Sequence, residues 1–77
     1  MKIKVVSAIG GGEIPISVNP DDPVRVIKQI VAEQKRIPES TILVVFRGQQ
    51  LDDNQTLENA GITEHDKVYL ITRTVGG

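Results

Sequence analysis

The two glycines that end the printed sequence, Gly76 and Gly77, point most directly to chemistry. Glycine has no Cβ and adopts backbone conformations that other residues avoid. A carboxylate behind two glycines can therefore pass through a narrow channel into the active site of another protein, where the carboxyl group is the reactant. Glycine makes up about 7% of average proteins, so such a pair ends roughly 0.5% of chains by chance. The alternative is a frayed terminus or a truncation scar, because chain ends are commonly disordered.

The rest of the sequence offers no credible catalytic group. It has no cysteine and a single histidine, His65, so a nucleophile paired with a base is nearly excluded. We expect His65 to be a solvated turn residue. Gly10-Gly11-Gly12 lacks the Gly-Lys-Ser/Thr and the helix of a phosphate loop, and Asp52-Asp53-Asn54 lacks the glycine and bidentate glutamate of a calcium loop. We therefore expect neither an enzyme nor a bound cofactor or metal.

Size and charge narrow the function further. The chain has 77 residues, with nine basic and ten acidic side chains and a net charge of -1. A general nucleic-acid binder needs a basic stripe, and aromatic residues for base stacking amount to only 3% here. No apolar run approaches the roughly 18 residues of a membrane helix. Without disulfides the small domain must rely on its apolar core, and a cysteine-free chain with no signal peptide fits a cytoplasmic location.

Hydrophobic periodicity predicts an α+β order of strand, strand, helix, strand, strand, short helical turn and strand. Pro15 places the second strand at a sheet edge, because proline donates no ladder hydrogen bond. In the helix, Asp22 is the expected cap, Pro23 lies in the first turn, and Ile37-Pro38 ends it. Gly61 is expected to end the short helical turn. The strands are expected at residues 2–5, 14–18, 41–46, 49–51 and 67–73, and the apolar arc of the helix at Val24, Val26, Ile27, Ile30 and Val31, with Ala32 facing away.

One helix covers only one face of such a sheet, so the other face is left bare. Val44 of the third strand and Val68, Leu70 and Thr72 of the last strand are expected to point toward the helix. The bare face then carries four uncovered apolar side chains: Leu43, Val45, Tyr69 and Ile71. A contiguous exposed apolar patch usually marks a partner site. The alternatives are scattered surface hydrophobes and a sheet-to-sheet dimer.

Together these features resemble the ubiquitin family over the whole chain, with one extra residue in the first hairpin loop. The tail from Leu70 to Gly77 looks especially like that of archaeal ubiquitin-like modifiers with a eukaryote-like conjugation system. The resemblance implies a β-grasp fold, in which one main helix packs on one face of a mixed sheet and a short helical turn follows. It also implies a single domain over residues 1–77, with 73–77 as a flexible C-terminal tail. The matching residues include Ile3, Val5, Pro20-Asp21-Asp22, Lys28, Ile37-Pro38, Phe46-Arg47-Gly48, Gln50-Leu51, Thr56-Leu57, Ile62, Arg73 and Gly76-Gly77.

The resemblance also implies a transferable tag that does no catalysis itself. In this family an activating enzyme adenylates the carboxylate corresponding to Gly77 with ATP, and a thioester then passes between enzyme cysteines to a lysine amine. By position, Arg73 matches the tail arginine that the activating enzyme reads, and Ile9, Val45 and Ile71 match the family's apolar recognition patch. The implied partners are the activating enzyme, a conjugating enzyme, a ligase, a deconjugating protease and target-protein lysines. No nucleic-acid or membrane partner is expected, and the chain is expected to be a monomer.

Some residues depart from the family pattern. Gln49 and Glu64 stand where its two best-known linkage lysines lie, so those chain types cannot form. Val75 replaces a second tail arginine, Leu43 replaces a basic residue beside the patch, and Lys4 replaces an aromatic residue of a secondary patch.

Two other functions fit the same features. A sulfur carrier would convert the activated Gly-Gly carboxylate to a thiocarboxylate, and a non-conjugated interaction domain would belong to a longer protein. Arg73 and the apolar patch favour the modifier over the sulfur carrier.

One charge lies close to the predicted core. Lys28 is at the edge of the apolar arc of the helix, where its ammonium would be partly desolvated. In the resemblance it faces the acidic residue that corresponds to Asp53. We predict a semi-buried ion pair that joins the helix to the turn.

Overall fold

The computed structural model describes residues 1–7 and 12–72. These residues contain a mixed five-stranded sheet with one long helix packed across one face. The strands are β1 (Lys2–Ser7), β2 (Glu13–Ser17), β3 (Ile42–Phe46), β4 (Gln49–Gln50) and β5 (Lys67–Thr72), in the order β2-β1-β5-β3-β4. β1 and β5 run parallel, and the other neighbouring pairs are antiparallel. The helix α1 spans Arg25–Lys35. The predicted α+β class with a mixed sheet and one main helix is confirmed.

The core lies between α1 and the inner face of the sheet. Strict alternation builds that face: Ile3 and Val5 are buried on β1, while Lys2 and Lys4 are exposed. The buried apolar side chains are Ile3, Val5, Ile16, Val18, Val24, Ile27, Val31, Ile42, Val44, Phe46, Leu51, Leu57, Ile62, Val68 and Leu70. Val26 and Ile30 are half-buried against them, as is Ala32, which the helical wheel had placed on the outward side.

The chain enters α1 differently from the prediction, and the proposed cap at Asp22 is wrong. The Asp22 carboxylate accepts a hydrogen bond from the backbone N–H of Asn19 at 2.9 Å, so it closes the preceding turn instead. Val24 occupies the cap position and makes no side-chain cap hydrogen bond. Pro23 lies before the helix rather than in its first turn and forms an isolated bridge with Thr56.

The predicted end of the helix is confirmed. α1 stops at Lys35, and Arg36 follows in the left-handed conformation with φ 55°, its N–H donating to the carbonyl of Ala32. The N–H of Ile37 donates to the same carbonyl at 3.1 Å. Pro38 then prevents continuation of the helix, because proline disfavours helical backbone at the residue before it.

The second half of the chain contains one element that the sequence analysis did not predict. A 3-10 helix, Glu39–Thr41, precedes β3, so β3 begins at Ile42 rather than at Thr41. Thr41 donates its hydroxyl to the carbonyl of Pro38 at 2.7 Å, which stabilises this turn.

Other strand boundaries also differ from the prediction: β1 extends to Ser7 instead of ending at residue 5, and β2 spans Glu13–Ser17 instead of 14–18. Leu51 lies outside β4, although its N–H donates to the carbonyl of Val44 at 2.9 Å. Thr72, predicted to point inward, is exposed because it ends β5 beyond the last buried residue, Leu70. The predicted short helical turn at 56–61 is confirmed: the N–H of Ala60 donates to the carbonyl of Thr56 at 3.0 Å, and Gly61 ends the turn with φ +86°.

Candidate functional site

Four apolar side chains form a contiguous patch on the outer face of the sheet, the face that α1 does not cover. Val45 is the register partner of Tyr69, and Leu43 is the register partner of Ile71. Neighbouring strands lie about 4.8 Å apart, so these side chains are neighbours across β3 and β5. Tyr69 is 49% exposed and Ile71 is 46% exposed, while Leu43 and Val45 are half-buried. The predicted assignment of strand faces is therefore confirmed, and we call these four residues the apolar patch.

The patch has a fifth apolar neighbour that the sequence analysis did not name. Val6 of β1 is the register partner of Tyr69 and is half-buried on the same face. The signal was present in the sequence, since Lys2 and Lys4 point outward and a period of two places position 6 with them. Val6 extends the apolar surface across a third strand.

Three lysines border this surface at one end. Lys4 of β1 and Lys67 of β5 are register partners, and Lys2 lies two residues further along β1 on the same face. All three are exposed. The Glu13 carboxylate lies 3.8 Å from the Lys67 ammonium, and both side chains are about half exposed. The outer face thus has a basic end and an apolar end.

The other predicted site residues lie outside the described parts of the chain. Ile9 belongs to the segment 8–11, and Arg73, Gly76 and Gly77 belong to the segment 73–77. The structure therefore brings together Leu43, Val45, Tyr69 and Ile71 of the predicted set. β5 carries two of these four and leads directly into the tail, with Thr72 as the last described residue before it.

The predicted ion pair between Lys28 and Asp53 is confirmed. The Lys28 ammonium lies 2.5 Å from an Asp53 carboxylate oxygen, and the side chains are 11% and 47% exposed, respectively. The backbone carbonyl of Asp53 also accepts the N–H of Arg25 at 3.2 Å, and the Arg25 guanidinium donates to the Asn54 side chain at 3.0 Å. Asp53 therefore holds the start of α1 through both its backbone and its side chain.

A second set of polar contacts lies in the turn before β5. Both the backbone N–H and the hydroxyl of Thr63 donate to the Asp66 carboxylate, at 2.8 and 3.0 Å. The hydrogen bond from the Thr63 backbone is the main cause that lowers the pKa of Asp66. The N–H of Lys2 donates to the Glu64 carboxylate at 2.6 Å and lowers the pKa of Glu64 in the same way. Both carboxylates thus fix local structure.

His65 occupies this turn as a solvated residue, which confirms its predicted role. It is exposed, has φ 68°, and donates its backbone N–H to the carbonyl of Lys2 at 2.7 Å. Across residues 1–7 and 12–72, no group of three or more His, Cys, Asp or Glu side chains is arranged to hold a metal ion. Within the same residues no helix has the length and apolar character needed to cross a membrane.

A family model described as the ubiquitin family matches residues 1–75. The chain belongs to the ubiquitin family. The solved structure "Caldiarchaeum Subterraneum Ubiquitin" superposes with a TM-score of 0.88 at 42% sequence identity, covering 100% of this chain and 98% of that one. The predicted β-grasp fold of the ubiquitin family is therefore confirmed.

Two curated relatives of similar length match this chain almost from end to end. The NEDD8-like protein RUB1 of Saccharomyces cerevisiae is 32% identical over 72 residues, covering 94% of each chain. The ubiquitin-like protein NEDD8 of Dictyostelium discoideum is 32% identical over 77 residues, covering 100% of this chain and 99% of its own. This ubiquitin-family chain spans about half of a longer relative, 47% of the ubiquitin-like protein 4A of Anoplopoma fimbria.

Proposed function

We propose that the chain is a ubiquitin-like protein modifier that is activated at the carboxylate of Gly77 and joined to lysine amines of target proteins. The observation that supports this most is the continuity of β5 with the tail. β5 presents Tyr69 and Ile71 on the uncovered outer face and leads through Thr72 toward Gly76-Gly77. An enzyme that binds the apolar patch is therefore close to the segment that bears the reacting carboxylate.

The proposed chemistry has four steps. The Gly77 carboxylate attacks ATP, which forms an acyl-adenylate and releases pyrophosphate. A cysteine thiolate of the activating enzyme then displaces AMP and forms a thioester. After transfer to the cysteine of a conjugating enzyme, a target lysine amine attacks the thioester, forms the amide bond and releases the thiol. Gly76 and Gly77 contribute by having no side chains, so their backbone fits a narrow channel.

The proposed partners follow from this sequence of steps. The activating enzyme reads Arg73 and binds ATP, and a conjugating enzyme, a ligase and a deconjugating protease act after it. The apolar patch, together with Ile9 from outside the described residues, forms their shared docking surface. The protein acts as a cytoplasmic monomer with a single domain, and the predicted tail at 73–77 lies outside the described residues.

The proposal holds whether or not Gly77 is the last residue that is translated. If the protein is made as a longer precursor, a protease that cuts after Gly77 removes the extension and leaves the same carboxylate.

The direct test is incubation of the purified chain with ATP and the activating enzyme from the same organism. We expect an adduct with the activating enzyme that disappears on treatment with a reducing thiol, as a thioester does. A chain lacking Gly76-Gly77 should form no adduct and should keep its melting temperature, because these residues have no side chains to pack in the core. Failure of the intact chain to form the adduct, or adduct formation by the truncated chain, would contradict the proposal.

A second candidate is a non-conjugated interaction domain of a longer protein. It is favoured by the match to ubiquitin-like protein 4A, of which the chain spans 47%. Detection of the chain in cells only as part of a longer, uncleaved protein would support it. A sulfur carrier, the third possibility, would instead show replacement of a carboxylate oxygen by sulfur in the intact mass of the cellular protein.

A further inference from the structure

The chain has five lysines, and all of them lie within the residues that the structure describes. They are Lys2, Lys4, Lys28, Lys35 and Lys67. Acylation of a lysine replaces its ammonium with an amide and so removes a positive charge. The five positions therefore differ in what the fold loses or gains when that charge disappears.

Three of the lysines carry a charge that stabilises the fold. The Lys28 ammonium is paired with the Asp53 carboxylate, and its side chain is 11% exposed. Lys35 lies in the last turn of α1, where a cation interacts favourably with the negative end of the helix dipole. The pKa of Glu64 is lowered mainly by the backbone N–H of Lys2 and, to a smaller extent, by the Lys2 ammonium. Acylation at any of these three lysines removes a favourable interaction.

Lys4 and Lys67 are in the opposite situation. They are register partners on β1 and β5, and like charges directly opposite each other destabilise a sheet. The Glu13 carboxylate lies 3.8 Å from the Lys67 ammonium, but an exposed ion pair of this kind contributes little. Among the described residues, no carboxylate lies within ion-pair distance of Lys4. Loss of either charge therefore relieves a repulsion that the fold offsets only weakly.

Protection of a sheet edge does not explain this pair. Lysine on an edge strand blocks pairing with other chains, but β1 and β5 are interior strands of the order β2-β1-β5-β3-β4. A local rule that is broken without compensation is expected mainly at functional positions. Enzymes with a nucleophilic lysine place another cation beside it, because this favours the uncharged amine that attacks. Both side chains are exposed, so their amines are accessible to an acyl donor.

We propose that Lys4 and Lys67 form the acceptor site at which a second copy of this chain is attached, with either amine as the nucleophile. The inference rests on the proposed function, because the donor is a copy whose Gly77 carbonyl is held as an enzyme thioester. The ammonium gives one proton to solvent, and the resulting amine attacks the carbonyl. The C–N bond forms, the C–S bond breaks, and the thiolate takes the second proton. The product is an uncharged amide beside one remaining ammonium, so the like-charge contact is gone.

Limited acylation of the folded chain tests the reactivity of the pair without any enzyme. The probe is a small thioester of N-acetylglycylglycine, used below stoichiometric amount, and mass spectrometry locates the label. We expect Lys4 and Lys67 to carry more label than Lys2 and Lys35. Lys67 should be labelled about 2-fold to 5-fold more in Lys4→Arg, which keeps the like charge, than in Lys4→Gln, which removes it. This difference should shrink as salt is raised, and labelling of Lys35 should be the same in both variants.

An enzymatic transfer tests the site itself. A donor chain is charged as a thioester on the conjugating enzyme of the same organism and mixed with an acceptor chain that lacks Gly76-Gly77. The acceptor with both Lys4→Arg and Lys67→Arg should lose most of the product. The matched acceptor with both Lys2→Arg and Lys35→Arg should keep it. The amide spectrum of each acceptor verifies its fold.

The outcomes separate this inference from the proposed function. Failure to form the donor thioester would count against the proposed function, and the labelling experiment would still decide whether the pair is reactive. Equal labelling of Lys67 in Lys4→Arg and Lys4→Gln would show that the like charge has no effect on the amine. A formed thioester that transfers mainly to Lys2, Lys35 or the amine of Met1 would overturn the assignment of the acceptor site.

Discussion

The ammonium of Lys28 is a charge almost enclosed by the fold, with the residue 8% exposed. Its partner Asp53 is about half exposed, so the two ends of the ion pair differ in environment. Removing the carboxylate leaves a nearly buried ammonium without a partner, whereas removing the ammonium leaves a carboxylate that water can solvate. The cost of breaking the pair therefore depends on which partner is removed.

We predict that Asp53→Ala lowers the free energy of unfolding by about 2–3 kcal/mol, between the values for exposed and buried pairs. Lys28→Met should cost about 1 kcal/mol, because methionine keeps the apolar stem packed. Urea unfolding at pH 7 gives both values. The double variant should resemble Lys28→Met alone, and a larger cost for Lys28→Met than for Asp53→Ala would contradict this account.

The same burial affects the choice of lysine if chains form on this protein. The Lys28 amine is engaged by Asp53 and shielded from an incoming thioester, whereas Lys2 and Lys67 are exposed and Lys35 is half-buried. We expect isopeptide bonds at Lys2, Lys35, Lys67 or the amine of Met1 before any at Lys28. Mass spectrometry of chains formed by natively folded protein gives the distribution, and a majority at Lys28 would be inconsistent with the ion pair seen here.

At this scale the sequence predicted some contacts and missed others for identifiable reasons. The Lys28–Asp53 pair was found through the family resemblance, which supplied a long-range contact that local patterns do not contain. The role of Asp22 was missed because an aspartate before a helix can serve either the helix or the preceding turn. Here the Asp22 carboxylate accepts a hydrogen bond from the N–H of Asn19 and so stabilises the preceding turn.

Among the elements, β5 shows the alternation most clearly, because its successive side chains point to the core and to the outer face in turn. Leu70 is 1% exposed and Ile71 is 46% exposed, although they are neighbours in the chain. Truncation of a buried side chain leaves a cavity, whereas truncation of an exposed one does not. The two positions therefore form a matched pair that distinguishes folding from binding.

We expect Leu70→Ala to lower the free energy of unfolding by about 2–5 kcal/mol and Ile71→Ala by well under 2 kcal/mol. Ile71→Ala, and likewise Val45→Ala, should instead weaken binding to partners of the apolar patch. Chemical unfolding together with a binding titration checks both effects. A core-sized loss of stability at Ile71 would mean that this side chain is covered in solution.

Two carboxylates in the turn at residues 63–66 make the stability of the fold depend on pH in the acid range. The pKa of Asp66 is lowered in the fold, so its ionised form contributes stability above the usual aspartate range of about 4, and the contribution is lost as the pH falls below it. Asp66→Asn should therefore make stability fall less steeply in acid, and Glu64→Gln should act in the same direction. Thermal melts between neutral and acidic pH measure the slopes, and slopes equal to the wild type would refute the role of these carboxylates.

The elements also show what periodicity can and cannot predict. Strands β1 and β2 and the interior of α1 were located because their apolar residues recur with periods of two and about 3.6, and β3 was located as a short continuous apolar run. The 3-10 helix at Glu39–Thr41 was missed because three residues are too few to show a period. The entry into α1 depends on hydrogen bonds to residues 53–57, which are distant in sequence.

For the whole molecule, the outer face and the tail are the two features that support a modifier. The apolar patch could be predicted because one helix cannot cover both faces of a sheet, and that reasoning needs only element order and alternation. Val6 was overlooked, and the adjacency of Lys4 and Lys67 could not be seen from local sequence because it depends on the parallel pairing of the first and last strands. The roles of Ile9, Arg73, Gly76 and Gly77 remain predictions from sequence and family.

The central claim is that Gly77 becomes covalently attached to lysines of other proteins, and the products of trypsin digestion test it most directly. Trypsin cuts after Arg73, so a modified lysine keeps the remnant Thr74-Val75-Gly76-Gly77 on its side chain. We predict that conjugates purified from the native cells under denaturing conditions contain target peptides with this four-residue remnant on lysine. Recovery of the chain solely with a free Gly77 carboxylate, with a thiocarboxylate, or within a longer uncleaved protein would contradict the account.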